Sequence, residues 1–138
     1  SLTTVFALRD YGTRVEGGAT WTVTLSVTNT SSSALFLNKL HLRAKQNSDP
    51  KFFDVKYDSG DLAEVANGTS VTNLTLPTDA TYHGYEVSLS GLSDSDLEPG
   101  ESATFSFYTY DVAGPYTYID NLAISGDITS RGTVVSIQ

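Results

Sequence analysis

The sequence predicts an all-β protein built as an antiparallel β-sandwich, with immunoglobulin-like or jelly-roll topology. Apolar and polar residues alternate with a period of two along most of the chain, and no amphipathic helical pattern stands out. Turn residues separate these runs at spacings of about ten residues, which is typical of sandwiches. Because no stretch is rich enough in Pro, Gly or Ser to act as a linker, residues 1–138 are predicted to form a single domain.

The clearest predicted strand covers residues 20–30, where apolar side chains alternate with hydroxyl-bearing ones. Such a strand buries one face and exposes the other, so Trp21 is expected in the core. The next strand, or pair of strands, covers residues 34–45. Its alternation slips at residues 38–39, which predicts a β-bulge or a tight turn.

Six further strands are predicted at residues 52–57, 71–76, 84–92, 103–112, 116–125 and 133–137. The Ala-Gly-Pro sequence at residues 113–115 predicts that two of these strands, 103–112 and 116–125, form a hairpin. Residues 11–18 are predicted to be a loop.

The chain carries eight Lys and Arg against sixteen Asp and Glu, a net charge of −8. Nucleic acids and anionic membranes attract clustered basic residues, and here the basic residues are scattered along the sequence. No apolar run approaches the roughly 20 residues that span a bilayer, so any membrane anchor is expected outside this chain. The hydroxyl-rich composition, the lack of Met and the start at Ser1 predict an exported protein, extracellular or at the cell surface, although a trimmed chain would start in the same way.

An enzyme is not expected. Of the two histidines, His41 lies opposite its apolar strand neighbours and His83 lies in a turn. Without Cys or a G-x-S-x-G motif, the sequence shows no apparatus for nucleophilic catalysis. Glycoside hydrolysis needs two carboxylates across a cleft, which a small sandwich rarely provides.

One loop is dense in oxygen ligands, because Asp94, Asp96 and Glu98 follow one another closely. Ca²⁺ takes about six to eight oxygens from flexible loops, so these side chains are the candidates for a calcium site. Asp58 and Asp61 form a smaller cluster. Neither spacing matches an EF-hand, solvated turn residues are the favoured explanation of both runs, and no other cofactor is expected.

Sugar binding by a β-sandwich needs aromatic rings presented to solvent beside polar groups. Tyr108, Tyr110, Tyr116 and Tyr118 flank the predicted hairpin loop and are the candidates for such a surface. Ordinary cross-strand pairing of aromatic side chains is the other explanation of this pattern.

Residues 1–9 have strand character, with Val5 and Ala7 on one face and Phe6 and Leu8 on the other. A strand that is apolar on both faces requires burial on both. Two hypotheses follow: the strand completes its own sandwich, or it inserts into a neighbouring subunit as an assembly strand. Insertion repeated head to tail would propagate a filament.

Three N-x-[ST] sequons make Asn29, Asn67 and Asn73 candidates for N-glycosylation, in a source that glycosylates asparagine. Hydroxyl residues are so abundant here that one or two sequons would arise by chance.

Two segments carry a family resemblance: EGG…WTVTLSVTNTSSSALFLNKLHLRA, within residues 15–45, and LEPGESATFSF, residues 97–107. They resemble secreted β-sandwich proteins of the fibre-forming TasA and camelysin type, and archaeal pilus subunits of similar β-rich build. They are also similar to family 3 cellulose-binding modules, in which residues 29–32 would precede the apolar strand. The first resemblance implies a surface fibre, and the second implies polysaccharide binding through a planar aromatic strip.

The leading hypothesis is a non-catalytic extracellular structural subunit of a cell-surface filament, coat or adhesin, with further copies of itself as partner. The alternative is a carbohydrate-binding module that uses the surface tyrosines, with a polysaccharide as partner. A viral coat or decoration protein of the same fold is the third hypothesis. None of the three involves nucleic acid or membrane insertion by this chain.

Overall fold

The computed structural model describes residues 2–9, 13–17, 22–46, 51–110 and 114–128, with side chains described within 23–46, 54–108 and 118–128. Trp21 and the predicted strand 133–137 lie outside these ranges. The described regular elements are β1 (Leu2–Arg9), β2 (Thr13–Gly17), β3 (Thr22–Thr28), β4 (Leu35–Gln46), β5 (Lys51–Gly60), β6 (Thr69–Leu76), β7 (His83–Ser88), β8 (Asp96–Leu97), β9 (Ser102–Tyr110) and β10 (Gly114–Ile128). Within the same ranges, no helix has the length and apolar character needed to cross a membrane.

The ten described strands form two sheets in which every pairing is antiparallel. The larger sheet has the order β1-β10-β4-β7, with β2 also paired to β10 and β8 also paired to β4. Its two long strands, β10 and β4, are therefore central, and each is flanked by two shorter strands. The smaller sheet has the order β3-β9-β5-β6. The predicted fold class, an antiparallel all-β sandwich, is confirmed.

The core lies between the two sheets and is built from the apolar faces of their strands. Strand β4 contributes Leu40 and Leu42, and β9 contributes Phe105 and Phe107, all 2% exposed or less. The ring of Tyr57 on β5 packs edge-on against Phe105, with 5.9 Å between ring centroids. Burying one such side chain contributes roughly 1.5–3 kcal/mol. This gain holds each strand in the register that its alternation predicts, because a one-residue slip would expose the whole apolar face.

The bulge predicted at residues 38–39 is present on β4. Lys39 is paired with Ser125 of β10, and Leu37 is paired with the next residue, Gly126, so Asn38 is the extra residue. A Cβ on Gly126 would lie 2.6 Å from the carbonyl oxygen of Phe36, which explains why glycine occupies this close approach. The phase slip in the sequence therefore reported a real change in pairing.

The predicted hairpin between residues 103–112 and 116–125 is wrong. Strand β9 pairs with β3 and β5 in the smaller sheet, whereas β10 pairs with β1, β2 and β4 in the larger one. Phe107 and Ile119 reach the core from opposite sheets, so the chain crosses between sheets from β9 to β10. Alternation shows that a strand has an apolar face, but it does not show which sheet the strand joins. The predicted loop at residues 11–18 is also corrected, since it contains β2.

Candidate functional site

The candidate tyrosines are divided between the two sheets. Tyr108 lies on β9 and Tyr118 on β10, and their buried strand neighbours face the shared core. Both rings therefore point away from the core, on opposite faces of the sandwich. The backbones of Tyr110 and Tyr116 belong to β9 and β10, and their side chains lie outside the described residues. Tyr108 and Tyr118 share no surface, because the expected common surface depended on the hairpin.

Tyr108 belongs to a cross-strand cluster on the outer face of the smaller sheet. Its hydroxyl donates to Asp54 Oδ2 at 2.7 Å, and Lys56 Nζ lies 5.1 Å from the ring centroid. Burial raises the pKa of Tyr108 above its usual value, and the neighbouring Lys56 opposes that shift. The hydrogen bond with Tyr108 in turn raises the pKa of Lys56. Cross-strand pairing, the ordinary explanation of this tyrosine, accounts for these contacts.

Two carboxylates of the acidic segment 94–101 accept hydrogen bonds from backbone N–H groups of this segment and of Ala63. The two oxygens of Asp94 accept from the backbone N–H groups of Ala63 and Asp96, each at 2.9 Å. The Glu101 carboxylate accepts from the backbone N–H of Glu98 at 2.8 Å. Among the described residues, no three His, Asp or Glu side chains converge as metal ligands would. These carboxylates fix the loop conformation.

Asn29 is a correction to the glycosylation candidates, because it is only 2% exposed. Its side-chain amide donates to the carbonyl oxygens of Leu97 at 2.7 Å and Ser33 at 2.8 Å. A glycan on this nitrogen would replace one donor and would require space that the folded chain does not have. Asn67 and Asn73 are exposed and remain candidates.

The N-terminal strand pairs within its own chain. The register of β1 on β10 runs from Leu2 opposite Ile128 to Arg9 opposite Leu122. The side chains of the candidate assembly residues, Val5, Phe6, Ala7 and Leu8, lie outside the described residues. In the single chain β1 therefore completes its own sheet, and insertion into a neighbouring subunit stays a hypothesis.

The outer face of β4 carries a row of basic side chains that we call the basic stripe: Lys39, His41, Arg43 and Lys45. The residues between them on the strand are buried, so these four point away from the core. As expected from the sequence, His41 faces opposite its apolar neighbours. Strand β4 is central in the larger sheet, so β10 and β7 flank the stripe on both sides.

Two tyrosines hold the cations at one end of the stripe. Lys45 Nζ lies 4.7 Å from the ring centroid of Tyr82 and 5.1 Å from that of Tyr118, so two rings contact one ammonium group. The guanidinium of Arg43 lies over the same Tyr82 ring at 5.2 Å, and 4.0 Å separates it from Asp120. Burial raises the pKa of Tyr82, Asp120 adds to the shift and Arg43 opposes it. Each cation–ring contact contributes about 0.5–1 kcal/mol at an exposed site.

The middle of the stripe, at His41 and Arg43, borders an open groove of about 390 Å³. Lys39 Nζ lies 3.0 Å from the Glu86 carboxylate and holds the pKa of Glu86 below its usual value, mainly through this hydrogen bond. His41 lies with one ring nitrogen 2.9 Å from Ser125 Oγ and the other 3.8 Å from Glu86. Asn121 lines the opposite wall from a β10 bulge, with a left-handed φ of +53°. The groove is open, and His41, Arg43 and Glu86 present charged or hydrogen-bonding groups along its walls.

The basic residues look scattered along the sequence, and the fold brings some of them together. Three of the eight Lys and Arg lie on one face of β4. Their spacing of two, shared with His41, was a readable signal, because alternate residues of a strand share a face. Tyr82 had no such signal, since it comes from the connection between β6 and β7 and reaches the stripe only through the fold.

The sequence matches no protein-family model and no curated protein. The resemblances to surface-fibre proteins and cellulose-binding modules therefore gain no support. The fold is similar to part of a chain in the T13 viral particle of infectious bursal disease virus, with TM-score 0.54 and 15% identity over 91% of this chain. A chain of the Gt strain of that virus gives TM-score 0.53 and 16% identity over 90%. Our chain spans about a third of the length of these chains, 31% and 32%, and at these identities the likeness is one of fold.

Proposed function

We propose that this chain is a structural, non-catalytic unit of an assembled protein coat, and that its partner is another copy of the same protein. The observation that carries the proposal is the fold similarity, over 91% of the chain, to a chain of an icosahedral viral particle. A viral coat or decoration protein was the third hypothesis from the sequence, and this similarity supports a coat role more than it supports a filament or adhesin.

The architecture supports a structural role. The two central strands of the larger sheet are 12 and 15 residues long, and each is paired along both edges. On the smaller sheet, hydroxyl pairs join β3 to β9: Ser26 with Thr104 and Thr28 with Ser102, both at 2.7 Å. A rigid block with polar outer faces suits repeated contact with copies of itself, because little side-chain or backbone order must be gained on association.

Assembly of the purified chain tests the proposal. The molar mass is measured by light scattering after size-exclusion chromatography over a wide concentration series, and the same samples are imaged by negative-stain electron microscopy. We expect concentration-dependent oligomers that grow into regular closed or extended assemblies. A monodisperse monomer up to about millimolar concentration, where even contacts worth only about 4 kcal/mol would show, would overturn it.

A further inference from the structure

We propose that the basic stripe docks the acidic end of a second copy of this chain, so that copies associate head to tail. The inference rests on the proposed self-assembly and names the two surfaces that would carry it. The basic stripe, with Tyr82 and Tyr118, is one surface. The acidic end of the sandwich, described next, is the other.

The acidic end consists of the loops at residues 58–66 and 93–101. They carry seven carboxylates and no Lys or Arg, and the carboxylates belong to Asp58, Asp61, Glu64, Asp94, Asp96, Glu98 and Glu101. A neighbouring segment at the same end, residues 28–36, contains no basic residue either. Nearly half of the sixteen Asp and Glu therefore lie in two short loops, without a compensating charge in their sequence.

Hydrogen bonds make these two loops one surface. Asp61 accepts from the backbone N–H of Ser102 at 2.8 Å, and Ser93 Oγ donates to the carbonyl oxygen of Glu64 at 2.6 Å. With the bond from Ala63 to Asp94, two contacts join the two loops, and the bond from Ser102 ties the first loop to the start of β9. These bonds hold the carboxylates of Asp61 and Asp94 in place, so a partner would not have to order them.

The two charged surfaces lie far apart on one molecule. Phe36, near the start of β4, pairs with Asp96 at the acidic end, while Lys45 lies nine residues further along the same strand. At about 3.3 Å per residue this is a separation of roughly 30 Å. The Debye length is about 8 Å at physiological ionic strength, so the acidic end does not neutralise the far part of the stripe. Both charges are available to another molecule.

The stripe presents a preorganised cation. Among the described residues, no carboxylate lies within ion-pair distance of Lys45, whose ammonium is instead held between two tyrosine rings. The other two cations, Lys39 and Arg43, have one carboxylate each nearby, Glu86 and Asp120. The face is therefore only modestly positive. It suits a few carboxylates on a protein loop better than a long polyanion, which Glu86 and Asp120 would repel.

The contact is heterologous, because it joins two different surfaces of identical subunits. Each copy has one stripe and one acidic end, so every bound copy offers both surfaces again. Such contacts form a closed ring where the rotation between successive copies closes, and an open row of copies where it does not. Exposed ion pairs contribute only about 0.2–1 kcal/mol each, so the contact is expected to be reversible and sensitive to salt.

A charge-swap experiment tests the inference on the 138-residue chain. One variant reverses the stripe, Arg43→Glu with Lys45→Glu, and the other reverses the acidic end, Asp58→Lys with Glu64→Lys. Each alone should self-associate at least about tenfold more weakly than the wild type, since like charges then face each other. An equimolar mixture should recover association, because the reversed stripe of one variant meets the reversed end of the other. Sedimentation velocity in about 10 mM and about 1 M salt measures all of these, with Debye lengths of about 30 and 3 Å.

Matched controls place the same charges elsewhere. Lys56→Glu reverses a cation on the smaller sheet, and Thr75→Lys adds one on the exposed face of β6; both should associate like the wild type. Far-UV circular dichroism and thermal unfolding check that each variant is folded. If the double stripe variant does not fold, Lys45→Gln should still weaken association and reduce its dependence on salt.

The outcomes separate this inference from the proposed function. In one outcome the wild type assembles in a way that does not depend on salt, and each reversed variant and their mixture assemble equally well. That result overturns the docking inference while self-assembly stands. If the wild type stays monomeric under all conditions, both are overturned. Retention of the wild type by single-stranded nucleic acid, abolished by stripe reversal, would also overturn the choice of a second copy as the occupant.

Discussion

Replacing Asn29 with alanine should destabilise the chain far more than its place in a serine-rich turn indicates. The side chain makes four hydrogen bonds from a nearly buried position. Its amide donates to Leu97 and Ser33, and its carbonyl oxygen accepts from the backbone N–H of Ser31 at 3.0 Å and from the Ser31 hydroxyl at 2.7 Å. This residue therefore ties the end of β3 to β8 of the other sheet.

The expected cost follows from which of these bonds water can replace. The bond to the Leu97 carbonyl is buried, and an unsatisfied buried carbonyl costs about 1–3 kcal/mol. The other three bonds are only partly buried, so water restores most of each, leaving a loss of about 0.5 kcal/mol apiece. We expect Asn29→Ala to lower the free energy of unfolding by about 3 kcal/mol.

Urea denaturation followed by circular dichroism measures this change, and the midpoint should fall by about 1.5 M at an unchanged slope. Asn67→Ala is the matched control, because it removes the same amide from an exposed sequon and should change stability by less than about 0.5 kcal/mol. A loss of less than about 1 kcal/mol for Asn29→Ala would refute the reasoning, since the Leu97 carbonyl would then have found another partner.

The variant Asn29→Asp extends the same argument to pH. It places a carboxylate against the Leu97 and Ser33 carbonyl oxygens, so the folded-state pKa of the new group should lie above its unfolded value. Such a group stabilises the fold below the unfolded pKa, and the stability is lost as pH rises through the folded pKa. This variant should therefore be less stable than Asn29→Ala at neutral pH and should approach it in acid, as measured by urea midpoints across a pH series.

Three further predictions concern packing and charge. Gly60→Ala should cost about 2 kcal/mol or more in urea denaturation, because φ is +135° and a Cβ would overlap the β9 backbone; Gly84→Ala, where a Cβ meets open space, should be near neutral. Phe105→Ala should cost about 3–5 kcal/mol at a side chain that is 0% exposed, and a loss below about 1.5 kcal/mol would contradict its place in the core. Lys39→Ala should raise the pKa of Glu86 towards its usual value in an NMR titration, because Lys39 supplies the hydrogen bond that lowers it. The lowered pKa of Glu86 stabilises the fold at pH values above the unfolded-state pKa, and this contribution is lost as the pH falls through the folded-state pKa. Because Lys39→Ala removes the contribution, this variant should lose less stability than the wild type on acidification.

Strands in which apolar and polar residues alternate regularly were predicted well from the local sequence pattern. Residues 22–28 of β3 and the bulge at Asn38 on β4 could be read from the sequence, because burial of one face imposes a period of two and a slip in that period marks an extra residue. The short strand β8 was missed, since its two residues are too few to show a period. Strands β9 and β10, which precede and follow residues 111–113, belong to different sheets, so the hairpin expected between them does not form.

The candidate site was predictable only in part. The basic spacing on β4 was visible in the sequence, although its importance was not recognised. The partners of that stripe were not visible, because Tyr82 and Tyr118 come from separate elements that only the fold brings to Lys45. For Asn29 the sequence motif pointed to the wrong role. The motif predicted an exposed glycosylation sequon, whereas the hydrogen bonds of Asn29 make it a buried link between the two sheets.

The fold class of this protein and the inward face of its regular strands follow from local sequence, because both depend on which residues alternate. The sequence also determined the charge of each segment, including the basic residues of β4 and the acidic loops. Tertiary structure alone decided which sheet β9 and β10 join, where Asn29 lies, and how far the acidic end stands from Lys45. Those features depend on contacts between residues distant in the chain, and a pattern with a period of two carries no information about them.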